Sequence, residues 1–325
     1  MTQLTNVWIA PEKIKIPDFI ICGAMKSGTT TLHHVLDQHP DIYIPEKEIH
    51  FFDIDNLLEH PDFFLFKQGQ WISQDIHEDP EKFWRWYARH FAAAQAGQMI
   101  GEDSTVYLSS KRAAQRIALQ PKDIKVVVML RHPTSRAYSQ YWHMLRTGRA
   151  VYDFEQMIQY DPYSVLGRSM YYEQLEDFLR YIPRARIKIV LFEEFIANKA
   201  QTVRSVCEHV GVDFEALPTA AFKSHENSAR IPKYLKIQIL RNKWFRQLNT
   251  INYGDFLPTH HGQSKSKFNI PKIVNKAHRL INPLTDSRPP KMRASTKQFL
   301  DDFFKKELAG LDELLGQELL SLWFD

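Results

Sequence analysis

The chain has 325 residues, 44% hydrophobic and 25% charged, and its 42 Lys and Arg against 38 Asp and Glu leave a formal charge of +4. These are ordinary globular values, sufficient for a packed core without disulfide staples. The small basic excess suits an anionic small molecule; a nucleic-acid partner is excluded because the basic runs at Lys265–Lys267 and Lys305–Lys306 are too short to form a stripe.

Two cysteines, Cys22 and Cys207, are too few for a bridged secreted scaffold and read as buried small hydrophobes. No apolar stretch precedes Ile14, and no run approaches the ~20 residues that span a bilayer. A cytoplasmic chain without a membrane span is expected.

Phe19–Cys22 is the first apolar run, predicting a strand that stops at Gly23. A helical pattern follows from near Thr29 to Gln38, and a short extended piece at Asp41–Ile44 is closed by Pro45. Residues 51–80 are irregular. Pro80 opens a helix to about Phe91 whose Phe83, Trp84, Tyr87 and Phe91 form a core-facing stripe. Met99–Glu102 and Lys125–Leu130 are predicted strands; the second lacks alternation, which implies burial on both faces. Pro133 suits the first turn of a helix to about Thr147. Helices over Met170–Tyr181 and Lys199–Val210 flank a strand at Ile187–Leu191. Residues 241–285 break this rhythm and read as an insertion or lid, and two helical patterns, Ser295–Lys306 and Leu308–Leu320, close the chain. Strands alternating with helices predict an α/β fold: a P-loop-type parallel β-sheet flanked by helices, one domain over 1–325 with a flap inserted in its C-terminal half.

The segment Gly23-Ala24-Met25-Lys26-Ser27-Gly28-Thr29-Thr30-Thr31 lies between a strand and a helix, where backbone amides and a helix start face an anion. A nucleotide triphosphate loop has its lysine directly after the second glycine. Here Thr29 stands there and the lysine is Lys26, inside the loop. Such an enzyme also needs a strand-end carboxylate to hold magnesium; the strongest strand instead ends in Arg131-His132. Direct cationic contact with a nucleotide, without a metal, is the expectation. The histidine pairs His33-His34 and His260-His261 do not have metal-ligand spacing.

With Lys26 so placed, the chain resembles the sulfotransferases that use 3′-phosphoadenosine 5′-phosphosulfate (PAPS), in particular the branch of heparan sulfate sulfotransferases and their soluble bacterial relatives. The resemblance implies that Lys26, Ser27, Gly28, Thr29, Thr30 and Thr31 bind the phosphosulfate. A strand-end arginine and a serine eight residues later, Arg131 and Ser139, would grip the 3′-phosphate. Lys47-Glu48-Ile49-His50-Phe51-Phe52-Asp53 looks like the branch's catalytic segment. It gives Glu48 as the base and His50 as a proton handler; on an extended chain, spacing of two would point them the same way. Asn227–Pro232 sits where the family covers the nucleotide, making Arg230 a phosphosulfate contact. Where the branch carries a lysine that touches the acceptor, this chain has Asp103, in Glu102-Asp103-Ser104.

The expected reaction is therefore sulfuryl transfer from PAPS, leaving adenosine 3′,5′-bisphosphate, to a hydroxyl or amine of a small molecule. Asp103 suits a cationic specialised metabolite; a glycan or lipid-linked saccharide is the alternative acceptor. A P-loop kinase or NTPase would instead need magnesium and ATP, and a non-catalytic nucleotide-binding protein would bind without turnover.

Overall fold

The computed structural model describes residues 6–223, 230–245, 253, 256–259 and 270–325. The chain begins with β1 (Phe19–Gly23), α1 (Thr29–Leu36), β2 (Ile42–Tyr43), β3 (Leu65–Lys67), β4 (Gln70–Ile72), α2 (Pro80–Arg89), β5 (Met99–Asp103), α3 (Lys111–Ala118) and β6 (Lys125–Leu130). Next come α4 (Pro133–Arg146), α5 (Phe154–Tyr160), α6 (Pro162–Leu166), α7 (Tyr171–Tyr181), β7 (Ile187–Leu191), α8 (Phe192–Ala197) and α9 (Lys199–Val210). The remainder holds β8 (Arg230–Pro232), α10 (Leu235–Phe245), α11 (Ile270–Ile281), β9 (Leu284–Asp286), α12 (Ala294–Glu307), α13 (Leu311–Leu315) and α14 (Leu320–Phe324). These elements make two compact units: Met1–His132 with Tyr171–Ser224, and Pro133–Met170 with His225–Asp325.

The first unit is built on a sheet of order β2-β5-β1-β6-β7, parallel at every pairing. That is the sheet expected from alternating strands and helices. β1 is buried along its whole length and β6 everywhere but Lys125, which is why neither shows alternation. Each such buried Val, Ile or Phe contributes about 1.5–3 kcal/mol. Leu32, Val35 and Leu36 of α1 and Val203, Val206 and Val210 of α9 pack with Phe19, Ile21, Val127 and Met129. Gly101 of β5 is required by this packing, since a Cβ there would lie 2.5 Å from the Phe19 ring.

The aromatic stripe of α2 is core: Tyr87 stacks on Phe51 at 4.2 Å, and Phe83, Trp84 and Phe91 are buried with it. Cys22 and Cys207 are both buried and free. Within the stretch expected to be irregular, β3 and β4 form an antiparallel hairpin. It escapes the sequence pattern because Phe66 and Trp71, paired at 5.3 Å, are both largely exposed.

In the second unit, Tyr138, Tyr141 and Trp142 of α4 cluster with Phe154. Arg136 is fully buried and donates to the Ser169 hydroxyl and the Val165 carbonyl. β8 and β9 pair antiparallel, with Arg230 opposite Asp286. The excursion expected over 241–285 is in part helical, containing the end of α10 and all of α11. Gln238 and Asn242 of α10 are buried and bond the carbonyls of Leu145 and Ala150, while Leu240 and Trp244 are exposed. A helix that buries its polar residues carries no apolar stripe to read. The terminal pattern expected as one helix is two, α13 and α14, because Gly316 adopts φ 63 at the end of α13. Among the described residues no helix is long and apolar enough to cross a membrane.

Candidate active site

The loop between β1 and α1 is tied to the neighbouring strand by the Ala24 amide, which donates to the Met129 carbonyl at 2.8 Å. Ser27 N–H closes back on the Ala24 carbonyl at 3.1 Å. Lys26 lies between them at φ 72, in the left-handed region that costs a non-glycine residue of order 1–3 kcal/mol. Gly28 precedes α1 at φ 92, and a Cβ on it would sit 2.8 Å from the Phe192 ring. No side chain caps the start of α1, and its first turn holds no acid. A helix start of this kind presents amides and partial positive charge to an anion. The Ser27 hydroxyl is buried in the loop without a partner. Thr29 is buried, Thr31 half-buried and Thr30 exposed.

Arg131 follows β6 and donates from Nη1 to the Lys26 carbonyl at 3.1 Å. Its guanidinium lies 4.5 Å over the Phe192 ring, so one aromatic side chain backs both Gly28 and Arg131. Tyr171 Oη donates to the Arg131 carbonyl at 2.9 Å. Burial pulls the Arg131 pKa below its ordinary value, against the opposing charge of Glu193.

A second cluster forms around the segment after β2. His50 Nε2 meets Glu48 Oε2 at 3.0 Å, and Thr105 Oγ1 donates to both Glu48 oxygens at 3.2 and 3.1 Å. The pairing does not come from an extended chain: residues 46–47 bend, and His50 adopts φ 57. Lys26 and His50 are thus two of the three non-glycine residues with positive φ among those described. Burial raises the cost of charge on Glu48, but the His50 and Thr105 contacts overcome it and hold Glu48 below its ordinary value. Burial likewise opposes charge on His50, and the bond and charge of Glu48, with Asp53 and Glu102 behind, lift it above the ordinary value.

Thr105 joins the two clusters, because its carbonyl lies where a Cβ on Gly23 would come within 2.6 Å. Asp103, at the end of β5, is 5% exposed and holds His33 Nδ1 of α1 at 3.2 Å. Burial, and then the Glu48 charge, push Asp103 up to about 6 although His33 works the other way. Beside His50, the buried pair His60 Nε2–Asp53 Oδ1 is 2.8 Å apart, and one ligand atom from each of His50, Asp53 and His60 lies within 4.8 Å of the others. These three are the group among the described residues with a donor set for a divalent cation.

Of the residues singled out in the sequence, Lys26 to Thr31, Glu48, His50, Asp103 and Arg131 all fall in the first unit. Ser139 lies half-buried on α4 of the second unit. Arg230, also in the second unit, is exposed and bonds Asp286 at 3.0 Å. Asn227–Ala229 and the His260-His261 pair lie outside the described residues. Sequence reading missed Thr105, His33 and His60, whose partners are 57, 70 and 7 positions away and form no motif.

The first unit thus joins a parallel α/β sheet, a glycine loop before an uncapped helix, and a carboxylate–imidazole pair. The profile of the sulfotransferase family matches residues 17–216, and the chain belongs to that family. The chain is 29% identical to mouse heparan sulfate glucosamine 3-O-sulfotransferase 5 over 188 residues, which cover 54% of this chain and 48% of that protein. It is 26% identical to mouse heparan sulfate glucosamine 3-O-sulfotransferase 3B1 over 206 residues, covering 61% and 47%. The chain therefore spans about half the length of these relatives. The crystal structure of a sulfotransferase from Alicyclobacillus acidocaldarius aligns with a TM-score of 0.61 at 26% identity, covering 95% of this chain and 99% of that one.

Proposed function

We propose that this chain transfers a sulfuryl group from PAPS to a hydroxyl or amine of an acceptor. The observation that carries the reading is the loop of Lys26 and Gly28, uncapped and held by Arg131, joined through Thr105 to the Glu48–His50 pair. The donor supplies an activated sulfuryl group on a phosphate. The chain fits it: first-turn amides of α1 and the unpartnered Ser27 hydroxyl would bind the phosphosulfate, and Lys26 would offset charge on the leaving oxygen. Arg131 would hold the 3′-phosphate. Ser139 and Arg230 are assigned by the resemblance alone, to the 3′-phosphate and the phosphosulfate. Glu48, kept ionised below the usual carboxylate range, would take the acceptor's proton, and His50 would orient it and share that proton.

A kinase reading is disfavoured because the carboxylate at the end of β5, Asp103, is already held by His33. The same pairing bears on the acceptor. From sequence, Asp103 is expected to attract a cationic small molecule and repel an acidic glycan. Bonded to His33 and buried, it would act by field more than by contact, which weakens the objection to a glycan. The names of the relatives favour that second reading.

Calorimetry with adenosine 3′,5′-bisphosphate should show binding without magnesium, and Mg·ATP should bind far more weakly. Glu48→Gln should keep the nucleotide affinity while turnover of a radiolabelled donor falls about 10²–10⁴-fold. Near-normal turnover would remove Glu48 from its role, and preference for Mg·ATP would remove the reaction. Acceptor panels of cationic alcohols and amines against heparan-type oligosaccharides then separate the two acceptor classes.

A further inference from the structure

Glu102 sits inside the first unit at 0% exposure, one residue before the end of β5. Three hydroxyls converge on it. Ser104 Oγ and Tyr107 Oη both donate to Glu102 Oε1 at 2.7 Å, and Tyr87 Oη donates to Oε2 at 2.5 Å. Burial raises the Glu102 pKa, against those three bonds.

Two of these hydroxyls are also acceptors. The His50 backbone amide donates to Ser104 Oγ at 3.0 Å, and the Phe52 amide donates to Tyr107 Oη at 3.0 Å. A hydroxyl has one hydrogen. With that hydrogen spent on Glu102, each oxygen must offer a lone pair to the amide, so the direction of both chains is fixed: amide to hydroxyl to carboxyl. Both chains end on Oε1, and they survive whichever way the proton lies between Oε2 and Tyr87.

The two amides bracket the residue that most needs holding. His50 is at φ 57, a conformation that an L-residue leaves unless its surroundings over-determine it. Its ring meets Glu48 only because the chain turns there.

We propose that Glu102 is a positioning residue for sulfuryl transfer. Through Ser104 and Tyr107 it clamps the backbone on both sides of the His50 turn and so sets the Glu48–His50 pair. The proposal rests on the reading of Glu48 as base. It explains why a carboxyl is buried among hydroxyls where an apolar residue would cost less.

Ser104→Ala tests it with little change in volume. It strips the His50 amide of its acceptor and leaves Tyr107 in place. A lost buried acceptor is expected to lower kcat about tenfold or more, with the KM for PAPS and the adenosine 3′,5′-bisphosphate affinity within about twofold of wild type. By NMR, the His50 ring in Ser104→Ala should titrate closer to an ordinary histidine, because its bond to Glu48 is loosened. Ser104→Thr, which keeps the hydroxyl, should restore both kcat and the titration. Tyr107→Phe should show the same pattern through the Phe52 amide. It serves as the second variant should Ser104→Ala fail to fold.

Unchanged kcat and an unmoved His50 titration in both variants overturn the proposal. So does a kcat loss that follows only a fall in melting temperature or nucleotide affinity. Glu48→Gln, run in parallel, separates the two readings. If Glu48→Gln is inactive while Ser104→Ala is normal, only the positioning role fails; if Glu48→Gln turns over normally, the base assignment fails first.

Discussion

Glu48 and His50 have pKa values displaced in opposite directions, and the signs define a pH window. Glu48 is held below its ordinary 4.5, so its contribution to stability is present above that value and is lost as pH falls through the lower folded-state pKa. His50 is held above its ordinary 6.5, so its contribution is complete below 6.5 and is lost as pH rises through the higher folded-state pKa. Both are present together from about pH 4.5 to 6.5. His50→Gln removes the alkaline-side loss. Urea unfolding from pH 6 to 8 should therefore show a shallower decline in stability for the variant than for wild type. Parallel curves would mean that the two side chains do not pair in solution.

The β1–α1 loop is a property of an element junction. β1 ends and α1 starts within a few residues, and Gly28 has to be at φ 92 with Phe192 against its Cα. Gly28→Ala introduces a Cβ 2.8 Å from that ring as well as an unfavourable backbone. A cost of about 1–3 kcal/mol in stability is expected, with weaker binding of adenosine 3′,5′-bisphosphate. Adding Phe192→Ala should recover part of the stability by removing the clash, and leave the remainder, which belongs to φ. Full recovery would locate the whole cost in the ring contact. This junction could be read from sequence because its signals are local: an apolar run, a glycine pair and a helical pattern follow one another directly. The Lys47–Asp53 segment was legible as a motif, yet its geometry was not. Glu48 and His50 meet through a left-handed turn at His50, which no residue type there announces. Thr105 and Ser104 reach this segment from 57 and 54 positions away, a proximity created by the β2–β5 pairing.

At the scale of the molecule, legibility follows which elements carry the buried polar groups. The first unit closes on contiguous apolar strands, and β1, β5, β6 and β7 fall within a residue of the runs that predict them. Both units bury polar groups, the first beside its strands at Asp53, Glu102 and Asp103, the second on the inward faces of its helices. Gln238 and Asn242 face inward on α10, and Arg136 is enclosed on α4, so a rule that apolar residues point inward misses α10 altogether. This difference yields a test. Arg136→Ala leaves the Val165 carbonyl without its donor and opens a cavity where a guanidinium had been. The loss should be about 3 kcal/mol or more, because an unsatisfied buried acceptor and an empty volume add to one another. Arg136→Met, which fills much of the space, should recover the cavity part alone. In hydrogen-exchange mass spectrometry, protection in Arg136→Ala should fall first in peptides from 133–170 and 230–245, where the buried polar network lies. Peptides spanning β1, β6 and β7 should keep theirs, since their core is apolar and separate. A uniform loss across both sets would show that these two groups of elements unfold as a single cooperative body.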